Sequence, residues 1–280
     1  MPVLQSFAKV NLGLWVLGRR PDGFHEVFTP IVKVSLADLV EVSPSDRLEV
    51  RTTFPIPQEE NLVYRGLRLF EERTGILQRW KIFIEKKVPV GGGLGGGSSN
   101  LATVLKFVND YYGSPLSERE LSELVASLSS DAPSFLCDGV AVAEGRGERV
   151  SCLRRPDYRG VPITLFVPEG VSSPTGEVYR ALDPSAFVSP ERVRPLKELL
   201  KSAPLEEFFE RAENALGEVF LRLHPSVGRD VDFLRKVCYK KFLVSGSGSS
   251  FFTVGSLDRR CLEAVDRLKN RYKIFFLVTL

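Results

Sequence analysis

One stretch of the sequence decides the fold, and it reads Pro89-Val90-Gly91-Gly92-Gly93-Leu94-Gly95-Gly96-Gly97-Ser98-Ser99. Glycine reaches backbone conformations with positive φ and lets a ligand approach the main chain closely, so successive N–H groups can surround an anion. An amphipathic pattern begins at the two serines and predicts a helix, whose N-terminus adds free amides and partial positive charge. The stretch, here called the glycine loop, therefore predicts a site for a di- or triphosphate.

Three other interpretations of these glycines fit less well. A Walker A loop requires a lysine after the glycines, and none follows here. A dinucleotide-binding fingerprint matches at Gly91, Gly93 and Gly96, but the acidic residues at 118–120 begin a predicted helix instead of ending a second parallel strand. A flexible Gly/Ser linker does not usually lie between a clear strand and a clear helix.

Outward from the glycine loop, strands and helices mix without regular β-α-β alternation. Alternating apolar residues predict strands at 7–17, 31–42, 48–53, 80–88, 140–143, 163–167 and 274–278, with two more flanking residues 245–250. Helical spacing and capping residues predict helices at 61–74, 98–113, 117–128, 191–201, 205–223, 229–237 and 257–269. The mixture predicts an α+β protein of two domains, residues 1–153 and 160–280, with a linker rich in proline and arginine at 154–162.

Lys9 and Asn11 lie on one face of the first predicted strand, opposite its apolar face. One interpretation is a solvated strand surface. The other is a cation beside a reacting hydroxyl and a transferring phosphoryl group, because charge stabilisation is the main contribution that a protein makes to phosphoryl transfer. The pattern alone leaves both open.

Asp131 follows a predicted helix and precedes Ala132-Pro133. It is either the N-cap of a short helix that contains Pro133, or a carboxylate that accepts or orients the proton of an attacking hydroxyl. The local sequence does not decide between these roles.

Two further segments have compositions that are typical of ligand-binding sites as well as of plain turns. Residues 245–250, Ser-Gly-Ser-Gly-Ser-Ser, predict a turn between strands or a second backbone surface against the glycine loop; we call them the glycine turn. Phe24 and His25 follow a Pro-Asp-Gly turn. His25 is either a plain loop histidine or, with the neighbouring ring, a stacking partner and edge reader for a heteroaromatic base.

Composition excludes several classes of protein. The chain has 280 residues, 43% hydrophobic and 26% charged, which is ordinary for a globular protein, and its net charge of +3 is too small to favour nucleic-acid binding. No apolar run reaches the roughly 18 residues of a membrane span and no secretory signal is visible, so we expect a cytoplasmic protein without a membrane partner. The four cysteines form no C-x-x-C pair, which predicts reduced, mostly buried thiols and no metal site.

The segments and their order resemble the three motifs of the GHMP kinase superfamily. These motifs are Ala8-Lys9-Val10-Asn11-Leu12, the glycine loop and the glycine turn. Other stretches resemble the branch that phosphorylates 4-(cytidine 5′-diphospho)-2-C-methyl-D-erythritol, namely residues 18–25, Glu60-Asn61-Leu62, Ser130-Asp131-Ala132-Pro133 and Gly145-Arg146-Gly147-Glu148. The likeness covers nearly the whole chain and is weakest at 151–225.

This resemblance implies a reaction and an architecture. ATP would phosphorylate the 2-hydroxyl of the cytidine-diphosphate compound, a step of the non-mevalonate route to isoprenoid precursors. The N-terminal domain would have the ribosomal protein S5 domain 2-like fold and the C-terminal domain a ferredoxin-like fold, with the active site between them. Mg²⁺ would be held by phosphates, water and a loop hydroxyl such as Ser99, without a dedicated carboxylate cage.

Carried over by position, the resemblance assigns catalysis to Lys9 and Asp131 and the ATP phosphates to the glycine loop. It assigns the substrate to Asn11, Phe24, His25 and Tyr179. Phe24 stands where tyrosine is common, and position 31 holds isoleucine where an aromatic residue is frequent, which leaves the details of base recognition open.

Two alternatives remain at this point. One is a GHMP kinase for another small alcohol, such as homoserine or mevalonate. The other is a non-catalytic nucleotide-binding protein of the same fold. In the leading interpretation the partner is a small molecule bearing cytidine diphosphate, and we expect a monomer or a weak homodimer.

Overall fold

The computed structural model describes residues 2–280, and within them the chain forms two β-sheets with helices packed on both. The α+β class predicted from the sequence is confirmed. The first sheet has seven strands, β1 Val3–Asn11, β2 Trp15–Arg19, β3 His25–Pro44, β4 Glu49–Thr52, β5 Trp80–Glu85, β6 Val140–Gly145 and β7 Arg149–Leu153. Strand β3 is 20 residues long and pairs antiparallel with β1, β2, β5 and β6, so it serves as the spine of this sheet.

Four helices accompany the first sheet, and the local sequence explains their ends. They are α1 Leu62–Thr74, α2 Gly96–Tyr111, α3 Glu118–Leu128 and α4 Ala132–Phe135. The Asn61 side chain caps α1 by accepting a hydrogen bond from the Val63 amide, and Gly75 ends the helix in the left-handed conformation. Ser117 and Glu120 form the predicted capping box of α3. These helices bury their apolar faces against β3, β4 and β5.

The second sheet has the order β11-β8-β10-β9, with antiparallel pairings throughout. Its strands are β8 Pro162–Pro168, β9 Leu243–Val244, β10 Phe251–Val254 and β11 Tyr272–Val278. Its helices are α5 Thr175–Arg180, α6 Pro190–Ser202, α7 Leu205–Arg211, α8 Ala215–Leu223, α9 Pro225–Cys238 and α10 Arg259–Asp266. Stacked rings of Phe166 and Phe251 lie at the centre of the core under α8, α9 and α10.

The two sheets share a continuous apolar core. Val10 and Phe28 of the first sheet belong to the same buried cluster as Leu165 and Phe252 of the second. Tyr158, in the segment predicted as a linker, is also buried in this cluster. The segment is therefore packed rather than free, and the division into domains 1–153 and 160–280 stays a prediction.

Two predicted elements were each too long. The strand predicted at 7–17 is two strands, β1 and β2, with a β-bulge between Phe7 and Ala8 inside the first. The helix predicted at 205–223 is α7 and α8, which are separated where Asn214 turns its side chain inward and caps α8 at the Gly217 amide. In both cases tertiary pairing at the break overrides a continuous apolar pattern.

The expectation of reduced thiols was wrong. The structure pairs Cys137 with Cys152 and Cys238 with Cys261 as disulfides. The folding of α9 against α10 places the second pair of Cα atoms 4.7 Å apart, and such proximity between distant positions cannot be read from cysteine spacing.

Within residues 2–280, no helix has the length and apolar character that crossing a bilayer would need.

Candidate active site

The glycine loop joins the end of β5 to α2 and encloses a cavity of about 300 Å³. Gly91, Gly93 and Gly95 all have positive φ, between 69° and 77°, which brings successive main-chain groups around the cavity. The leucine at the centre of the loop is buried and anchors it, and its carbonyl accepts a hydrogen bond from the Lys9 amide at 3.1 Å. The first amides of α2 have no partner within the helix, so they are available to an anion.

The glycine loop and the glycine turn are in direct contact. The Ser250 amide donates to the Gly92 carbonyl at 3.2 Å, and the Ser245 hydroxyl donates to the Gly93 carbonyl at 3.3 Å. A Cβ added to Gly93 would lie 2.6 Å from carbonyl oxygens of Ser245 and Gly248. The turn between β9 and β10 is thus also the second backbone surface that the sequence left as an alternative.

A buried polar network holds the loop from behind. Lys86 forms an ion pair with Asp38, which is fully buried and also accepts hydrogen bonds from the Val88 amide at 2.8 Å and from the Asn100 side chain at 2.9 Å. The Ser99 hydroxyl faces this network and accepts from Ser6, so Ser99 does not line the cavity. Ser98, whose hydroxyl is 2.7 Å from that of Ser129, does line it. Nothing in the local sequence identifies these partners.

Lys9 and Asp131 lie close together in the wall of a second cavity, which shares Gly93 and Gly95 with the phosphate cavity. Lys9 is only 3% exposed, its Nζ donates to Asn11 Oδ1 at 2.5 Å, and it lies 3.5 Å from Asp131 Oδ2. The carboxylate of Asp131 is about half exposed and makes no capping hydrogen bond to α4. The solvated strand surface and the plain N-cap, both open from the sequence, therefore do not describe these residues.

Asn11 connects this pair to both sheets. Its side-chain amide donates to the Thr29 hydroxyl at 2.8 Å, and its main-chain amide donates to the Ser245 hydroxyl at 3.3 Å. A Cβ at Gly246 would lie 3.2 Å from Asn11 Oδ1 and 3.7 Å from Lys9 Nζ. The glycine turn consequently contacts the phosphate loop on one side and the Lys9–Asn11 pair on the other.

Beyond Lys9 and Asp131 lies the larger cavity, of about 800 Å³, which we call the acceptor cleft. All four predicted substrate residues line it, namely Asn11, Phe24, His25 and Tyr179. The His25 and Tyr179 rings are stacked with centroids 4.8 Å apart. Phe24 is about half exposed at the mouth of the cleft, with the Arg146 guanidinium 4.8 Å from its ring centroid.

The aromatic residues of the cleft are held in uncharged forms. Burial, assisted by the charge of Arg19, lowers the pKa of the His25 imidazole from its ordinary value. Burial and the nearby Asp131 carboxylate raise the pKa of the Tyr179 hydroxyl. A neutral imidazole offers one N–H donor and one ring-nitrogen acceptor, which suits the edge of a heteroaromatic base.

Sequence reasoning missed three residues of the cleft. The Phe187 ring packs edge-on against the His25 ring, with centroids 5.9 Å apart. The Arg146 guanidinium lies over the Phe24 ring, and the Thr29 hydroxyl accepts a hydrogen bond from the Asn11 side chain. Arg146 belongs to the stretch Gly145-Arg146-Gly147-Glu148, for which the family resemblance gave no residue roles. Nothing in the sequence around Phe187 and Thr29 indicates that they belong to the cleft. Ile31 is buried against Ala141 and Cys137 and does not line the cleft.

Within residues 2–280, no three His, Cys, Asp or Glu side chains come together as a cage for a metal ion. The oxygen donors that line the phosphate cavity include the Ser98 hydroxyl and the Glu60 carboxylate, whereas the Asp131 carboxylate lines the larger cavity. Hydroxyl and carboxylate oxygens are donors that suit Mg²⁺, which usually binds through few protein groups together with phosphates and water.

Comparison with known proteins identifies close relatives. The GHMP kinases N terminal domain matches residues 61–139. The 4-diphosphocytidyl-2-C-methyl-D-erythritol kinase of Persephonella marina is 44% identical over 91% of this chain and 92% of its own length, and that of Thermotoga maritima is 37% identical over 91% and 93%. A solved structure of 4-(cytidine 5′-diphospho)-2C-methyl-D-erythritol kinase has a TM-score of 0.79 at 34% identity, with 99% of each chain covered. The homoserine kinase of Cytophaga hutchinsonii, with a TM-score of 0.73 at 18% identity, shares the fold.

Proposed function

We infer the function from the premise that the chain belongs to the 4-diphosphocytidyl-2-C-methyl-D-erythritol kinases, a branch of the GHMP kinases. The protein is a small-molecule kinase that uses ATP to phosphorylate the 2-hydroxyl of 4-(cytidine 5′-diphospho)-2-C-methyl-D-erythritol, in the non-mevalonate route to isoprenoid precursors. The observation that carries this conclusion is 44% identity over 91% of the chain. The superfamily resemblance stated from the motifs is confirmed, and the homoserine and mevalonate alternatives are not favoured.

The glycine loop is proposed to hold the phosphates of ATP. Residues of the loop and of the first turn of α2 line one cavity, where their main-chain amides would bind phosphate oxygens without any lysine in the loop. The proposed phosphate-binding segment runs from Pro89 to Ser98, with the amide donors supplied by the residues after Pro89, which has no N–H of its own. The proposal for Ser99 changes. Its hydroxyl bonds Ser6, so Ser99 acts by fixing the start of α2.

Asp131 and Lys9 are proposed to catalyse the transfer of the γ-phosphoryl group. The substrate hydroxyl attacks the γ-phosphorus, a new oxygen–phosphorus bond forms, the bond to the β-phosphate oxygen breaks and ADP leaves. Asp131 accepts the hydroxyl proton or orients the hydroxyl for attack. The Lys9 ammonium, 3.5 Å from Asp131, stabilises negative charge that develops between the hydroxyl oxygen and the phosphoryl group.

Mg²⁺ is proposed as the second cofactor, and the oxygen donors near the phosphates fit it. Ser98 would hold the ion together with the phosphates and water. When bound, Mg²⁺ would neutralise phosphate charge during transfer.

The acceptor cleft is proposed to recognise the cytosine end of the substrate. The neutral His25 imidazole reads the base edge, which presents both donors and acceptors, while Tyr179 holds the imidazole by stacking. Phe24 offers a ring for stacking at the mouth of the cleft, and Asn11 positions the hydroxyl end near Lys9.

The cellular setting is also a proposal. We place the protein in the cytoplasm, where ATP is available, as a monomer or weak homodimer that binds neither membranes nor nucleic acid. The small net charge of +3 supports the last point.

ADP release from ATP and Mg²⁺ with three acceptors tests the function. The acceptors are 4-(cytidine 5′-diphospho)-2-C-methyl-D-erythritol, mevalonate and homoserine. We expect turnover with the first alone. Turnover with mevalonate or homoserine instead would overturn the substrate assignment, and ATP binding without turnover on any acceptor would favour a non-catalytic nucleotide-binding protein.

A further inference from the structure

A third cavity lies behind the wall of the acceptor cleft. Its volume is about 640 Å³, within the range of roughly 300–1,000 Å³ that is common for small-molecule sites. The segment 182–188 separates the two spaces, and its residues Leu182 and Phe187 line both. The cavity is distinct from the phosphate cavity under the glycine loop, with which it shares no lining residue.

The floor of this cavity is apolar. Trp15, Leu182, Val219 and Leu243 line it, and each is less than a tenth exposed over the side chain as a whole. An apolar floor favours ligands with a hydrocarbon body, because burying such a body removes its surface from water.

The rim is rich in positive charge. Five basic side chains line the cavity, Arg192, Arg222, Arg235, Lys240 and Lys241, against two acidic ones. The acids are already engaged, since Glu213 pairs with Arg192 at 3.3 Å and Glu218 with Arg235 at 3.2 Å.

Three of the rim cations have no carboxylate partner. Within residues 2–280, Arg222 and Lys240 form no ion pair, and Lys241 donates to main-chain carbonyls, including that of Ala212 at 2.9 Å. Hydrogen bonds from Ser185 and the charge of Arg222 lower the pKa of Asp183, and the Lys240 Nζ lies beside Gly255, next to the Glu206 side chain. The five cations of the lining still outnumber its two acids, and a cavity with net positive charge attracts an anion.

We propose that this cavity binds a small amphipathic anion, with a hydrocarbon body on the Trp15 floor and a phosphate or carboxylate group at the basic rim, to which Arg222 and Lys240 belong. The argument rests on the lining residues and their pairing and is independent of the reaction assigned to the acceptor cleft.

The position of the cavity gives the bound anion a route to the acceptor cleft. The Phe187 ring packs edge-on against the His25 ring, with centroids 5.9 Å apart, and His25 stacks on Tyr179. An occupant that shifts the segment 182–188 therefore shifts the wall of the cleft. Asn214, also on the cavity wall, donates to the Gly246 carbonyl at 2.7 Å. The anion therefore changes the affinity for the acceptor; this coupling, unlike the binding itself, rests on the proposed function.

Isothermal titration with hexyl phosphate, in the presence of a saturating non-hydrolysable ATP analogue, tests the binding. We expect saturable binding of hexyl phosphate, and at least about tenfold weaker binding of inorganic phosphate and of 1-hexanol, because each lacks one of the two features. Equal affinity for 1-hexanol, or no saturable binding, would overturn the proposal.

The variants Arg222→Gln and Lys240→Gln test the location. Both side chains lie on the rim, so the fold should be unchanged, which the Tm checks. We expect each variant to weaken hexyl phosphate about tenfold, since a charge-assisted hydrogen bond contributes about 1.5–3 kcal/mol. Arg229→Gln and Lys236→Gln are matched controls on α9 that do not line the cavity and should bind as wild type. Wild-type affinity in both rim variants would contradict the assignment.

Steady-state kinetics test the coupling. Hexyl phosphate should change KM for the cytidine-diphosphate acceptor and leave KM for ATP unchanged, and the double variant Arg222→Gln/Lys240→Gln should abolish the change. A change in KM for ATP alone would mean competition at the glycine loop and would overturn the coupling. If the acceptor is not phosphorylated at all, the proposed function fails while the calorimetric result stands by itself.

Discussion

The phosphate cavity and the acceptor cleft are built in opposite ways. One continuous stretch of the chain, the glycine loop, forms most of the phosphate cavity and contributes main-chain groups. The acceptor cleft takes side chains from segments that are far apart in sequence, such as Lys9, Asp131 and Tyr179. A main-chain site needs glycine in a row and is visible in the sequence, whereas a side-chain site exists only after folding.

The chemistry follows the same division. Main-chain amides bind phosphate by charge and geometry, and they are the same in any glycine-rich loop. Discrimination between alcohols must come from the cleft, where His25 and Tyr179 are held neutral and stacked. Substitutions on either side should therefore damage one ligand more than the other.

The largest expected effect is that of Asp131→Asn. We expect kcat to fall by about 10²–10⁴, as for loss of a general base, with the affinity for ATP close to that of the wild type. Rapid-quench kinetics with a separate ATP titration measure both quantities. Asp138→Asn is a suitable control, because its side chain is almost fully exposed and lines neither cavity. A variant that kept more than about a tenth of the rate would remove Asp131 from its role as an essential base.

Gly93→Ala should produce the next largest effect, on the phosphate side. Alanine in the left-handed region costs about 1–2 kcal/mol, and here its Cβ would also press on carbonyls of the glycine turn. We expect KM for ATP to rise at least about tenfold, which corresponds to 1.4 kcal/mol. The acceptor KM should rise by less, because Gly93 also lines the acceptor cleft and its Cβ would press on the glycine turn.

Gly91→Ala provides the matched comparison for that variant. Gly91 has a similar φ of 77°, but no atom lies within 4 Å of its would-be Cβ. Its effect should therefore be limited to backbone strain and be smaller. Equal effects at the two positions would show that contact between the glycine loop and the glycine turn is unimportant.

Asn214→Ala should affect the phosphate cavity and the acceptor cleft together. Its side chain bonds the Val244 and Gly246 carbonyls and the Gly217 amide, and these groups would lose buried partners. We expect the free energy of unfolding to fall by about 1–3 kcal/mol, measured by chemical denaturation. Because the glycine turn contacts both sites, KM for ATP and for the acceptor should both rise.

Asn109→Ala separates that effect from general instability. Asn109 is equally buried and bonds both main-chain groups of Leu116, away from either cavity. It should lose comparable stability while both KM values stay at the wild-type level. A rise in KM in this control as large as in Asn214→Ala would assign the kinetic effect to instability.

The smallest expected effect concerns pH. Because burial and Arg19 lower the pKa of His25 below its ordinary value of 6.5, the folded protein takes up this proton at lower pH than the unfolded chain. The contribution of His25 to stability is thus complete above pH 6.5 and is lost as the pH falls through the lowered pKa. Acceptor kcat/KM should likewise stay level down to pH 6.5 and fall only below it.

An NMR titration of the His25 ring measures this pKa directly, with His25→Gln identifying the resonance. A midpoint at or above 6.5 would contradict the neutral imidazole in the cleft.

The sequence predicted features that are set by neighbouring residues, and it missed contacts between residues that are far apart in the chain. The glycine loop and the helices α1 and α3 are specified by neighbouring residues, and each was predicted to within a few residues. The contact between Lys9 and Asp131 could be assigned only through the family resemblance, because no local pattern reports which distant residues will meet. The disulfides and Phe187 were missed for the same reason.

One measurement tests the division between main-chain and side-chain recognition most directly. It is the calorimetric titration of Gly91→Ala and His25→Ala, each with a non-hydrolysable ATP analogue and with 4-(cytidine 5′-diphospho)-2-C-methyl-D-erythritol; Gly91 lines only the phosphate cavity and His25 only the acceptor cleft. The account predicts that Gly91→Ala weakens the ATP analogue alone and that His25→Ala weakens the cytidine-diphosphate compound alone. If both variants weaken both ligands to the same extent, the two sites are not separate in the way described and the account is wrong.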